Sequence, residues 1–109
     1  MSAQRSTMTV IIDLVAEAYR VSPQAIRSRL RTPEVAEARQ VCYWIASRLG
    51  WSSSLIGRVM DRHHGAIIHG VKAINNYMDI SADLTVTINH LRIKIEDRLD
   101  ARSLDCSQL

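Results

Sequence analysis

The sequence predicts an all-α, compact domain of six helices. Three observations carry that reading. Apolar residues recur at steps of three and four through most of the 109 residues. No segment alternates with a period of two, the mark of a half-buried strand. Start and stop signals (Ser-Pro, Thr-Pro, Gly, Ser clusters) cut the chain at short intervals. The composition is 47% apolar and 23% charged, which is globular. With no Phe and two Trp, the core has to be built from Ile, Leu, Val and Ala. The length suits one domain. The expected organisation is a flexible lead over residues 1–7, a helical domain over 8–102 and a flexible tail over 103–109.

The first helix is expected from about Met8 to Tyr19, capped by Thr7 or Thr9, with Val10, Ile11, Leu14, Val15 and Ala18 on one face. Ser22-Pro23 opens a short helix, since Ser caps and Pro suits the first turn. It carries Ile26 and runs into Arg27, Arg29 and Arg31. Thr32-Pro33 repeats the signal, and Glu34 suits the positive end of a helix dipole. Val35, Ala38, Cys42, Ile45 and Leu49 then make an amphipathic helix of about four turns, closed by a left-handed Gly50. A Ser-rich turn leads to a helix over Leu55–Met60. Asp61, Arg62 and His63 form the next break, and a helix follows from about His64 to Tyr77. Its Ile67, Val71, Ile74 and Met78 oppose a small or polar stripe of Gly65, His69, Lys72 and Asn76. Ser81-Ala82-Asp83 opens the last helix, to about Arg102, with Leu84, Ile88, Leu91, Ile95 and Leu99 aligned. That stripe is expected to dock inside the domain. A seam for a homodimer or a partner protein is the alternative, since four turns are marginal for a free coiled coil.

Several function classes are excluded. No apolar run approaches the roughly 20 residues of a membrane span, and residues 1–7 lack a secretory apolar core, so the expected location is cytoplasmic. Cys42 and Cys106 have no metal-type spacing and do not suggest a disulfide framework. His64 and His69 do not share a helical face, and no acid or Cys lies four residues from any His of the cluster, so no metal and no cofactor is expected. No paired carboxylates, activated nucleophile or cofactor fingerprint indicates an enzyme.

Charge points to a polyanion. The net charge of +3 hides an asymmetry: residues 20–72 hold nine basic and three acidic residues, a local +6, and residues 73–109 are acidic by two. Twelve of the fourteen cations are Arg, whose planar fork donates two parallel hydrogen bonds to phosphate. Ser54–Met60 and His64–Tyr77 form a helix-turn-helix candidate, whose second helix would enter a major groove by its N-terminal end. Gly65, Ala66 and Gly70 would keep that end slim. Arg62, His63, His64 and His69 would supply donors, and Lys72 a phosphate contact. Trp44 and Trp51 are read as packing residues, Gly57 as a close helix approach, and His90 as lying on the exposed or partly buried side of the last helix.

The stretch Arg39-Gln40, Leu49, Leu55-Ile56-Gly57, Arg62-His63-His64-Gly65-Ala66-Ile67-Ile68-His69 and Lys72-Ala73-Ile74 resembles the C-terminal DNA-binding domain of the bacterial replication initiator DnaA. Val10–Tyr19, Val21-Ser22, Arg31 and Val35–Gln40 extend the resemblance over about residues 8–102. It implies a TrpR-like six-helix fold and binding to double-stranded DNA. By that resemblance Arg31 matches an arginine that enters the minor groove. Arg39 and Gln40 match a pair on the phosphate backbone. Arg62 and His64 match motif positions, and Lys72 the first of a later basic pair. The sequence departs at His63, where the family has Asp, at Gly65 and Ala66 for two Thr, at Ala73 for a basic residue, and at Glu37. The expected DNA-facing set is Arg31, Arg39, Gln40, Ser54, Arg58, Arg62, His63, His64, Gly65, Ala66, His69 and Lys72. The expected role is a sequence-selective regulator of transcription or replication associated with the nucleoid. It is not expected to be an initiator, because no glycine-rich phosphate loop lies in these residues. The alternative is a protein-interaction module on the same fold.

Overall fold

A computed structural model describes residues 2–107, with side chains described over 4–100. The described residues form six helices and no strand: α1 (Ser2–Tyr19), α2 (Pro23–Arg27), α3 (Pro33–Arg48), α4 (Ser53–Met60), α5 (His64–Ile80) and α6 (Ala82–Ser107). The number, order and type of elements agree with the periodicity, as does the all-α class.

The ends differ more than the middles. α1 is already helical at Ser2, so the lead expected over residues 1–7 is helical from residue 2 onward. Thr7 and Thr9 lie inside it, and Thr9 Oγ1 donates back to the Arg5 carbonyl at 2.9 Å instead of capping a terminus. Its inner face is Met8, Ile11, Ile12 and Val15, all fully buried, whereas Ala18 faces solvent. α5 continues to Ile80 and α6 to Ser107, past the stops expected near Tyr77 and Arg102.

α3 departs most from its predicted amphipathic form. Val41, Cys42, Tyr43, Trp44, Ile45 and Ala46 are buried in an unbroken run. The cause is tertiary: α1, α2, α4 and α5 all pack against α3, so its second half is buried well beyond a single stripe. Trp44 keeps a polar handle there, with Nε1 donating to Asn75 Oδ1 at 2.7 Å and the Arg48 guanidinium 4.8 Å over its ring. Trp51 packs half-buried at the core edge. Gly50, at φ +96°, closes α3 as expected.

α6 lies along α1. Leu84, Ile88, Leu91 and Ile95 are buried there. The stripe left open to a homodimer or partner protein is therefore occupied by the chain's own first helix. Its opposite face carries the exposed His90, Val86 and Ile93. α6 thus packs on α1 and also meets α5, while α1 meets α3 and, more narrowly, α4.

Candidate nucleic-acid interface

The turn between α4 and α5 is set by backbone geometry. Ser52 Oγ accepts from Leu55 N at 3.1 Å and opens α4. Asp61 ends α4 in the left-handed conformation, φ 59° and ψ 53°. The Arg62 amide then donates to the Gly57 carbonyl at 2.7 Å. A Cβ at position 57 would stand 2.5 Å from the Arg62 carbonyl oxygen. Gly57 is therefore what lets the turn fold back onto α4, the close approach read from the sequence.

His63 starts α5. Its Nδ1 accepts from the Gly65 amide at 3.0 Å, so the imidazole is the N-cap. This revises its expected place as a free donor: Nδ1 serves the backbone, and Nε2 is the nitrogen left for a ligand. The His64 ring lies 4.3 Å from the His63 ring. Gly65 sits half-buried against His63. Gly70 also differs from expectation. It is buried, and a Cβ there would meet Tyr43 Cδ2 at 2.8 Å and Gln40 Cγ at 3.2 Å. It thins α5 on the side facing α3 and has no part in an outward tip.

Beside the first half of α5 lies a groove of about 620 Å³, lined by Arg29, Arg31, Ala36, Arg39, Gln40, Tyr43, Arg62, His63, Ala66 and His69. Seven of the twelve expected residues meet there: Arg31, Arg39, Gln40, Arg62, His63, Ala66 and His69. Arg29 was missed. It stands two positions before Arg31 in a non-helical segment, where alternate side chains share a side, and that spacing was the available signal. Its guanidinium lies 3.8 Å from the exposed Asp61 carboxylate.

Arg39 is the main correction. It is 8% exposed, and its guanidinium faces inward. Nε donates to the Ile26 carbonyl at 2.8 Å, and Nη2 donates to the carbonyls of Ala25, Ser28 and Leu30 at 3.1, 2.7 and 3.0 Å. Burial lowers its pKa, and the neighbouring Arg62 and Arg29 charges add to that. The Arg39 Nε and Nη2 donors are engaged by the chain itself, and Nη1 is the nitrogen left toward the groove. Arg62, half-buried, donates through Nη2 to Ser28 O and Arg27 O and through Nη1 to Asp61 O. Burial also raises the Tyr43 phenol, countered by Arg62 and Arg39. Glu37 is not directed at the groove: it accepts the Tyr19 hydroxyl at 2.6 Å.

The remaining expected residues lie elsewhere. Lys72 lines a smaller crevice of about 190 Å³ on the other flank of α5, with Ser47, Ser53, Ile68 and Asn75. Ser54 is exposed in the first turn of α4, and His64 is exposed at the start of α5. Arg58 sits with Gln4, Arg5 and Val59 at the α1–α4 edge and does not join the groove.

This arrangement, six helices with a tight α4–α5 turn and an exposed start to α5 beside an arginine-lined groove, defines a helix-turn-helix domain. The family described as bacterial dnaA protein helix-turn-helix matches residues 8–74, and the chain belongs to that family. It is 32% identical over 91 residues to the chromosomal replication initiator protein DnaA of Desulfatibacillum aliphaticivorans. It is also 32% identical over 92 residues to that of Deinococcus radiodurans. These alignments cover 83% and 84% of this chain and 20% of each relative, so the chain spans about a fifth of their length. A solved structure of a DNA replication initiation factor shares the fold, with a TM-score of 0.78 at 22% identity, over 87% of this chain and 30% of that one.

Proposed function

We propose that the chain is a sequence-selective double-stranded DNA-binding domain, formed by residues 8–102, that serves in the control of replication or transcription at the nucleoid. The observation that carries this reading is the groove itself. Arg29, Arg31 and Arg62 meet His63 and His69 on one side of the first half of α5, and the start of that helix is open: His63, His64, Ala66 and His69 are all exposed. In a helix-turn-helix the second helix reads base edges while flanking cations and free helix amides hold phosphate. Here α5 is the reading helix. Arg31, Gln40, Ser54 and Lys72 flank it. Small Gly65 and Ala66 in place of hydroxyl side chains change which bases are preferred, because a good bidentate base contact is worth about 1–3 kcal/mol.

Fluorescence titration of labelled duplex at several salt concentrations tests the reading. The expected result is saturable binding whose log affinity falls linearly with log salt, by about 0.9 for each phosphate neutralised. Selection from a random duplex pool should yield an enriched sequence. No binding to any duplex at low salt would overturn the reading in favour of a protein-interaction module.

A further inference from the structure

We propose that Arg39 and Arg62 are positioning residues: their guanidinium groups hold the segment 28–31 in the shape that presents Arg29 and Arg31 to a duplex. The inference rests on the duplex-binding reading above, and assigns these two arginines to shaping the site instead of touching the ligand.

The segment has no apolar anchor of its own. Between Ile26 and Val35 no residue is buried, and Leu30 is 49% exposed. Its conformation must therefore rest on polar bonds. α2 is only five residues long, so most of its carbonyls find no donor within the helix. Arg39 reaches across from α3 to four carbonyls of residues 25–30, and Arg62 reaches from the α4–α5 turn to two of residues 27 and 28. Both end on the Ser28 carbonyl oxygen. Two like charges at one oxygen repel, so the arrangement holds only because the surrounding carbonyl dipoles all face them. A phosphate contact through Nε or Nη2 of Arg39 would require these bonds to break. Lysine keeps the charge but has no planar fork with separated Nε and Nη2 donors, so it cannot bridge the same carbonyls.

The experiment has two arms. In the free full chain, limited trypsin digestion after Arg29 and Arg31 should run at least about tenfold faster in Arg39→Lys and in Arg62→Lys than in wild type, because the cleavable fraction tracks local opening. Far-UV circular dichroism selects the variant that retains native helix content for the comparison. In the duplex arm, Arg39→Lys should weaken binding about tenfold in the wild-type background and less than about twofold when Arg29 and Arg31 are both alanine, the non-additivity expected of residues acting through one another. Equal losses in both backgrounds would overturn the proposal, since a direct phosphate contact or general loss of stability would act independently of the arm. Unchanged digestion would overturn it too. If wild type binds no duplex, the duplex reading fails alone, and the digestion still decides whether the clamp exists.

Discussion

The two flanks of α5 are built differently. On the α2–α3 side lies the large groove, with three arginines around its rim, one buried beneath it, and two histidines. On the α4 side lies a crevice less than a third of that volume, where one lysine, two serines and an amide edge a lining of three isoleucines and a valine. The first flank is directional: guanidinium forks and imidazoles fix where a partner atom must sit. The second offers a point charge and hydroxyls that suit an oxygen anion in many orientations. On the duplex-binding reading proposed above, the contrast would give discrimination to the groove and general attraction to the crevice.

Three perturbations would break or sharpen that comparison. The largest effect is expected at Gly57, on which both flanks depend. Gly57→Ala drives a methyl against the Arg62 carbonyl, a backbone atom that cannot rotate away. Overpacking of this kind costs about 1–3 kcal/mol, and thermal unfolding should show a correspondingly lower midpoint together with loss of duplex binding.

Next in size is the contrast between flanks. Arg31→Ala should weaken binding by about 1–3 kcal/mol and reorder the preference among duplexes. Lys72→Ala should weaken all duplexes alike and reduce the salt slope by about 0.9. Matching profiles from the two variants would abolish the distinction.

The smallest effect lies at the start of α5. His63→Ala removes the cap and should lower stability by about 1 kcal/mol, while His63→Asp, itself a good cap, should restore it. Chemical denaturation checks both, and an unstable His63→Asp would remove the cap from the account.

Much of the fold was legible because it follows from apolar spacing. Ile67, Val71, Ile74 and Met78 on α5, and Leu84 through Ile95 on α6, point inward as their periods require. Turn chemistry was legible as well: Ser22 and Ser52 cap α2 and α4, and Gly50 ends α3. The start of α1 was not, since Ser2 to Thr7 are small or polar and carry no apolar period that marks a helix. Nor was the burial of the second half of α3, which depends on how many neighbours pack against it. At the site, sequence distinguishes arginine from other residues but not one arginine's surroundings from another's. Arg31 and Arg39 look alike in the chain; one is exposed, the other buried among carbonyls. That difference arises because α2 is short and leaves acceptors within reach of α3.

The missing side chain at Gly70 has a consequence for reprogramming. By letting Tyr43 seat directly against the α5 backbone, it brings α3 close on one side of that rod, while positions 66, 69, 72 and 76 stay exposed on it. On the proposed reading those four form an exchangeable alphabet, which a designer can rewrite to alter what the domain selects while the mould that holds it stays intact.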